Sequence, residues 1–395
     1  MSDLKNVIIA GAKRTAIGSF QGELSTIPGH RLGSIVIKTV LEETGIDPII
    51  VNEVIMGNVL PAGQGQAPAR QAALGAGLPN SVECMTINKV CGSGLKAVML
   101  ATQAIQVGDA DVIVAGGMEN MNQAPYYLFK ARNGYRMGHG KIVDGMIHDG
   151  LWDIYNDIHM GQIGEICARE RNYSREAQDE IAKESYIRAL QAQKDGSFNN
   201  EIVPVEVPQR KRDSIIISED EEPGRVNFEK MTKLRPAFDK EGTITAANAS
   251  KINDGAAAVL VMSQDKADEL GLEPMVRVVA QASAAQAPEW FTTAPSKAIN
   301  KVLDKANMKA DDIDLWEINE AFAVVLMSAL EDHHLDPEKV NVHGGAIALG
   351  HPIGASGARI LTTLLHAMQI RNAKTGLATL CIGGGEASAI IVERE

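Results

Sequence analysis

The sequence is poor in aromatic residues and cysteine and has no excess of basic charge. Aromatic residues make up 4% of its 395 residues, and the formal net charge is −12 at pH 7. An acidic surface repels nucleic acid and anionic membranes, so we expect neither as a partner. No apolar run approaches membrane-spanning length. The composition therefore argues against nucleic-acid-binding and membrane-spanning proteins.

Cysteine and histidine are too scattered for a disulfide framework or a metal site. The four cysteines form no Cys-x-x-Cys pair, and the nine histidines form no His-Glu-x-x-His motif. Residues 1–10 lack the basic and apolar segments of a signal peptide. We therefore expect a cytoplasmic protein with free thiols and no structural zinc.

Hydrophobic residues and glycine are plentiful. Hydrophobic residues make up 45% of the chain, and 37 residues are glycine. A chain of this length is expected to divide into two or three domains. Many glycines with few aromatic residues suit an α/β fold that has tight turns between strands and helices.

An internal repeat relates the two ends of the chain. A helix, a strand and an asparagine recur in the same order, followed by two glycine-rich turns; the matched residues are Asn58 and Asn319, Gly94 and Gly357, and Gly117 and Gly384. Chance similarity of glycine-rich turns is the alternative. The preserved order and near-constant spacing favour a duplicated α/β unit, with parallel strands joined by crossover helices.

A different pattern separates the two halves. Residues 120–250 are polar and irregular around one amphipathic helix, for which Ser174 is the predicted N-cap and Gly196 the end. This segment has the character of an inserted domain. Its basic residues 210–212 and acidic residues 219–222 favour a solvated hairpin or loop, and a basic contact for a phosphorylated ligand is the alternative.

Cys91 is a candidate nucleophile. It lies between a predicted strand and a predicted helix and is followed by Gly92, Ser93 and Gly94. The N-terminal end of a helix favours the thiolate, and glycine leaves room for an acyl group. A buried structural cysteine is the common alternative, which this segment alone does not exclude.

Three further candidates lie in the second half. Cys381 ends a predicted strand before three glycines, whose backbone N–H groups can bind an oxyanion; a core cysteine is the alternative. His351 lies in the glycine-rich loop 344–357, whose entropic cost favours a functional role. Asn319 follows a predicted strand and either caps the next helix or serves the site.

Taken together, five segments resemble the thiolase family and its short-chain biosynthetic branch, over essentially the whole chain. These segments are residues 88–95 (NKVCGSGL), 248–256 (NASKINDGA), 319–322 (NEAF), the loop 344–357 and residues 381–385 (CIGGG).

The resemblance implies two duplicated α/β domains that form a five-layered αβαβα core, assembled as a homotetramer. Residues 1–119, completed by about 251–273, would form the N-terminal half, and residues 274–395 the C-terminal half. Residues 120–250 would form a loop domain that covers coenzyme A.

The implied activity is the reversible condensation of two acetyl-CoA molecules to acetoacetyl-CoA and CoA, with no metal and no cofactor beyond these substrates. Cys91 would be acetylated while His351 accepts its proton, and the N–H groups of Cys91 and Gly383 would bind the oxyanion. Cys381 would remove the C2 proton of the second acetyl-CoA. His351 and a water on Asn319 would then hold the enolate.

The resemblance also places coenzyme A contacts on nine residues: Leu151, His159, Met160, Ala237, Phe238, Ala246, Ser250, Ala321 and Phe322. Residues 149–161 match the biosynthetic branch in particular.

Three positions depart from the family pattern. His343 replaces a usual asparagine, Glu386 follows the triple glycine, and residues 287–293 lack the methionine of a short acyl pocket. The last departure leaves open a degradative 3-ketoacyl-CoA thiolase of broader chain length. A CoA-ester-binding homologue without activity is the non-enzymatic alternative, and the physiological direction of the reaction stays open.

Overall fold

The computed structural model describes residues 4–394 of the chain. Its strands are β1 (Val7–Thr15), β2 (Gly18–Ser19), β3 (Glu53–Gly57), β4 (Glu83–Ile87), β5 (Val112–Asn120), β6 (Tyr126–Tyr127), β7 (Val143–Asp144), β8 (Trp152–Asp153), β9 (Ile158–His159), β10 (Ile202–Val203), β11 (Val205–Val207), β12 (Ile215–Ile217), β13 (Asn253–Ser263), β14 (Val276–Ala285), β15 (Leu315–Ile318), β16 (Thr375–Ile382) and β17 (Glu386–Glu393).

The helices are α1 (Gly29–Thr44), α2 (Pro68–Gly75), α3 (Ser93–Val107), α4 (Met160–Glu170), α5 (Arg175–Asp195), α6 (Phe228–Met231), α7 (Gln264–Leu270), α8 (Ala294–Ala306), α9 (Ala323–His333), α10 (Ala346–Leu349) and α11 (Ser356–Ile370). Within residues 4–394, none of them is both long and apolar enough to cross a membrane.

The ends of the helices follow capping residues in the sequence. The Ser174 side chain accepts a hydrogen bond from the Ala177 N–H at the start of α5, and Gly196 ends this helix with φ 78°. Gly45 ends α1 with φ 67°. Both glycines adopt the left-handed conformation that side chains disfavour. The predicted helix of the insertion is confirmed, but the insertion also contains α4, which the sequence analysis missed.

One mixed sheet runs through the molecule in the order β4-β3-β5-β13-β1-β14-β17-β16-β15. β3 lies parallel to β4 and β5, and β15 lies parallel to β16, as predicted. The strands between them pair in antiparallel fashion. The two halves of the sheet meet at β1 and β14, which share only the pairs Ile8–Arg277 and Ile9–Val276.

The side chains of each strand alternate between the two faces of the sheet, and so they pack against helical layers on both faces. In β1, Ile8 packs in an outer cluster with α1 and α2, whereas Ile9 packs in the central cluster with α3 and α11. In the second half, α8 and α9 cover the other outer face. Because side chains of a strand alternate between faces, each half of the sheet separates two helical layers. The predicted five-layered αβαβα core is confirmed.

The repeat is visible in the equivalent order of β3, α3 and β5 and of β15, α11 and β16. It is incomplete at one edge of the sheet. β4 lies beside β3, but the matching place beside β15 holds only a single parallel bridge between Trp316 and Val340. After Val340 the chain turns into the glycine-rich loop.

Two repeat-related glycines lie where α3 crosses α11 in the middle layer. A Cβ atom on Gly357 would lie 2.4 Å from the backbone nitrogen of Leu95, and one on Gly94 would lie 2.8 Å from that of Ala358. The two helices therefore touch through their backbones.

A buried ionic cluster ties the insertion to the core. The Arg14 guanidinium in β1 lies 2.5 Å from the Glu201 carboxylate and 2.7 Å from that of Asp220. Asp220 belongs to the acidic run that was predicted to be solvated, and it is buried instead. The basic residues 210–212 are exposed at the tip of the β11–β12 hairpin, as predicted.

Substituting Gly357 with alanine is expected to lower the free energy of unfolding by about 1–3 kcal/mol, because the added methyl group meets backbone rather than a movable side chain. The Gly224→Ala variant is the control, since a Cβ atom there meets nothing within 4 Å. Thermal or denaturant unfolding measures both. Equal stability of the two variants would contradict the close crossing of the helices.

Candidate active site

The turn that carries Cys91 is held in a strained conformation between β4 and α3. Val90 has φ 46°, a left-handed conformation that is costly for a β-branched residue. The Asn88 side chain accepts from the Val90 N–H at 2.8 Å, and the Ser93 hydroxyl donates to the Val90 carbonyl at 2.7 Å. These bonds fix the strained turn and present Cys91 to a cavity.

His351 lies between α10 and α11. Its backbone N–H donates to the Asn253 side chain at 2.8 Å, and its Nδ1 lies 2.6 Å from the Ser356 hydroxyl. That hydroxyl donates to the Pro352 carbonyl at 2.9 Å. With this donation the Ser356 oxygen is free to accept, which favours the tautomer with the proton on Nδ1. Nε2 has no hydrogen-bond partner within residues 4–394, and His351 lines the cavity.

Asn319 lies behind His351 at the end of β15. Its Nδ2 is 3.5 Å from His351 Nδ1, and its side chain is fully buried. Helix α9 begins only at Ala323, with Phe322 at the N-cap position. The interpretation of Asn319 as a helix cap is therefore wrong, and its amide faces the histidine instead.

Cys381 and Gly383 lie at the turn between β16 and β17. Burial raises the pKa of the Cys381 thiol well above its usual value, and the charge of the nearby Cys91 raises it further. The Gly383 N–H lies close enough to the Cys91 sulfur to act toward a lower pKa of this thiol. The turn needs glycine at Gly385, where φ is 85° and a Cβ atom would lie 2.4 Å from the Gln286 carbonyl oxygen. Both thiols and the histidine thus converge on one place.

A cavity of about 460 Å³ opens from this place. Cys91, His351 and Gly383 line it, whereas Cys381 and Asn319 lie buried behind its wall. All nine residues on which the sequence places coenzyme A contacts also line it: Leu151, His159, Met160, Ala237, Phe238, Ala246, Ser250, Ala321 and Phe322.

Aromatic rings form one side of the cavity. The His159 ring stacks on Phe238 at 4.8 Å between centroids, and Phe238 and Phe291 meet Phe322 edge-on at 6.1 and 6.3 Å. His159 caps α4 by accepting from the Gly161 N–H. A Cβ atom on Gly161 would lie 2.3 Å from the Phe238 ring, so the glycine allows Phe238 to pack there.

The comparison with known proteins places this site in a family. The models of the thiolase N-terminal and C-terminal domains match residues 7–265 and 272–394. The acetyl-CoA acetyltransferase of Cupriavidus necator is 55% identical over 393 residues, which cover 99% of this chain and 100% of that protein. Acetyl-CoA acetyltransferase 2 of Arabidopsis thaliana is 52% identical, with 98% and 97% covered. The crystal structure of the Bacillus anthracis acetyl-CoA acetyltransferase matches with a TM-score of 0.97 at 40% identity and covers 100% of both chains.

The chain belongs to the thiolase family. The two domain matches together span nearly all of the described residues, and the relatives match along their full length.

In this thiolase, burial dominates the electrostatics of the site. It raises the pKa of the Cys91 thiol to about 11, although the Gly383 N–H acts in the opposite direction. It lowers the pKa of His351 to about 3, and the charge of Arg359 lowers it further. Both shifts favour the neutral forms of these groups. At Cys91 the loss of hydration thus acts against the helix N-terminus, which was expected to favour the thiolate.

The two polar departures from the family pattern lie outside the cavity. Glu386 forms an ion pair with Lys89, so its charge is compensated. His343 packs edge-on against Phe198 at 5.8 Å, and burial lowers its pKa. The third departure is different, because Phe291 lines the cavity.

Other residues of the cavity wall were missed by the sequence analysis. Two of them are basic, Arg225 and Lys251, whereas the predicted alternative for a basic contact, residues 210–212, does not line the cavity. Lys251 lies within the recognised segment 248–256, which was a usable signal. Among the residues that the structure describes, no cluster of His, Cys, Asp and Glu could hold a metal ion.

In His351→Ala, which lacks the imidazole beside the thiol, the rate of Cys91 alkylation by iodoacetamide is expected to rise about tenfold per pH unit between about pH 7 and 9 without a plateau. Only the thiolate reacts in this variant, and its fraction grows in this way below a pKa of about 11. Intact mass against time gives the rate, and Cys91→Ala gives the background from the other thiols. A plateau already at neutral pH would show a resting thiolate and contradict the dominance of burial.

Proposed function

We propose that the protein is an acetyl-CoA C-acetyltransferase that joins two acetyl-CoA molecules to acetoacetyl-CoA and CoA, and catalyses the reverse reaction. The observation that carries this proposal is the convergence of two thiols and one imidazole at a single cavity, with Cys91 and His351 in its wall and Cys381 close to Cys91 behind it. Relatives that bear the name acetyl-CoA acetyltransferase, at 52–55% identity over the full chain, support it.

The first half-reaction acetylates Cys91. As its sulfur attacks the thioester, His351 Nε2 takes the proton and passes it to the departing CoA sulfur. The unpartnered Nε2 supports this role. The backbone N–H groups of Cys91 and Gly383 stabilise the oxyanion, in agreement with the Gly383 N–H that already faces the Cys91 sulfur.

The second half-reaction forms the carbon–carbon bond. Cys381 first loses its thiol proton to solvent water. As thiolate it removes the C2 proton of the second acetyl-CoA, and the enolate attacks the acetyl group on Cys91. The Cys91 thiolate departs and receives the proton from Cys381. A pKa raised by burial makes the Cys381 thiolate a strong base, which the weakly acidic C–H requires.

The enolate oxygen is held by His351 and by a water on Asn319. To donate to the enolate oxygen, Nε2 must carry the proton of the neutral imidazole. Nδ1 then has to accept a hydrogen bond. The Ser356 hydroxyl, 2.6 Å from Nδ1, can donate as well as accept, so it supports either tautomer. The buried Asn319 amide close to Nδ1 supports its placement in this group.

The substrates acetyl-CoA, acetoacetyl-CoA and CoA occupy the cavity, and no metal or further cofactor is needed. The nine wall residues from Leu151 to Phe322 named above bind coenzyme A. Residues 1–119 with about 251–273 form one thiolase half, residues 274–395 the other, and residues 120–250 the loop domain over coenzyme A. Residues 1–3 and 395 of these ranges lie outside the described part of the chain.

A cytoplasmic homotetramer completes the proposal. Large apolar side chains are exposed at many positions of residues 126–155, among them Phe129, Met137 and Ile154. β4 ends the sheet order, so it offers a strand edge to a second copy. The free cysteines agree with a reducing compartment.

Incubation with acetyl-CoA is expected to add one acetyl group, seen by intact mass, and Cys91→Ala is expected to abolish the adduct. Cys381→Ala should keep the adduct but lower condensation by about 10²–10⁴-fold, because only the proton transfer is lost. Cys84→Ala is the matched control, since this partly buried thiol in β4 does not line the cavity. An adduct that persists in Cys91→Ala contradicts the proposed nucleophile.

Phe291 bears on the degradative alternative. It is buried, lines the cavity and belongs to the same cluster as Cys381, so its ring limits the space for an acyl chain. This favours short substrates over a broad-range 3-ketoacyl-CoA thiolase.

Phe291→Ala is expected to raise kcat/KM for longer 3-ketoacyl-CoA substrates relative to acetoacetyl-CoA by about tenfold or more. The smaller side chain leaves space for further methylene groups of the substrate, and each methylene in an apolar pocket contributes about 1–3 kcal/mol. Trp290→Ala is the control, since Trp290 is the preceding residue and its side chain does not line the cavity. Thiolysis rates over a series of chain lengths measure both variants. A parent protein that already prefers long chains would overturn the short-chain assignment.

A further inference from the structure

The Lys251 ammonium joins two segments of the site. Its Nζ donates to the Ala249 carbonyl at 2.8 Å and to the Ile347 carbonyl at 3.3 Å. The Tyr186 ring lies below it at 5.7 Å. Lys251 also lines the cavity, next to Ser250. One ammonium group therefore bridges the cavity wall and the short helix α10, which contains Ile347.

Ile347 is held at both of its backbone polar groups. Its carbonyl accepts from Lys251, and its N–H donates to the Glu320 carboxylate at 3.2 Å. α10 leads directly into His351, whose own N–H is bound by Asn253, two residues beyond Lys251. The segment 249–253 thus contacts the histidine loop at two points. The Asn253 side-chain amide accepts from the His351 N–H, and the Lys251 ammonium donates to the Ile347 carbonyl.

We propose that Lys251 is a positioning residue, whose ammonium fixes α10 against the cavity wall and thereby sets where His351 stands relative to Cys91. The role of His351 as the base for Cys91 is taken from the proposed function. Without the ammonium, the Ala249 and Ile347 carbonyls lose a shared charged donor, and Ile347 loses one of its two polar contacts to side chains.

The surroundings of Lys251 suit a fixed structural cation. Burial lowers its pKa to about 8, and the carboxylates of Glu222 and Glu320 act in the opposite direction. Arg225 lines the same cavity. Since desolvation of an ammonium is costly, its bonds to carbonyls and its acidic neighbours are what keep it charged at neutral pH.

The deciding measurement is the rate at which iodoacetamide alkylates Cys91 at pH 7–8, followed by intact mass. Lys251→Met keeps most of the side-chain volume and removes the charge. A displaced His351 assists Cys91 poorly, so we expect the rate to fall by about ten- to a hundredfold. Lys297→Met, which changes an exposed lysine of α8, is the matched control. An unchanged rate in Lys251→Met overturns the proposal.

A second variant separates positioning from general loss of structure. Lys251→Ala leaves space for n-propylammonium, which replaces the missing carbons and the charge. We expect added n-propylammonium to restore Cys91 alkylation in a saturable way in Lys251→Ala, with no effect on Lys297→Met. If Lys251→Met is slow because it is unfolded, restoration in Lys251→Ala still supports the proposal. Its absence overturns it.

Failure of the proposed function would look different. A parent protein that forms no acetyl adduct with acetyl-CoA would refute the acetyltransferase assignment. The alkylation rates need no CoA ester, so they report on Lys251 and His351 in either case.

Discussion

The site depends on the contact between α3 and α11 in the middle layer. At Gly94 and Gly357 the two helices touch through their backbones, which brings their first turns together. Cys91 precedes one of these helices and His351 precedes the other. A side chain at the crossing would move the helices apart, and with them the turns that carry the thiol and the imidazole. A packing constraint in the core thus fixes a distance on which the chemistry depends.

Burial gives this site its chemical character. It keeps Cys91 and His351 neutral, and it makes the Cys381 thiolate a stronger base than a solvated thiolate. Aromatic rings form one side of the cavity, so N–H groups near the sulfur act in a medium of lower dielectric constant than water. In the proposed reaction, charge on Cys91 and His351 develops when a thioester binds beside them.

Much of this could be predicted from the sequence, because the repeat, the helix caps and the glycine turns are local patterns. Two of the failures involve groups that lie far apart in the sequence, and two are local. The pKa of Cys91 depends on burial by the whole fold, and Asp220 is buried because Arg14, remote in sequence, meets it. α4 was missed because His159 is an unusual N-cap residue. A short non-helical segment lies between Asn319 and α9. The residue pattern does not distinguish this segment from the helix, and for this reason it left the helix-cap interpretation of Asn319 open.

The missing strand beside β15 shows how a duplicated fold obtains two different halves. Where the first half continues with β4, the second keeps a single bridge at Val340, and the backbone set free there forms the long loop of His351. If the second half repeated the first in full, a strand like β4 and a short cysteine turn would stand in this place instead of the long histidine loop. The two unequal halves instead carry different groups: the first presents Cys91, the proposed nucleophile, and the second supplies His351 and Cys381, the proposed proton-transfer groups.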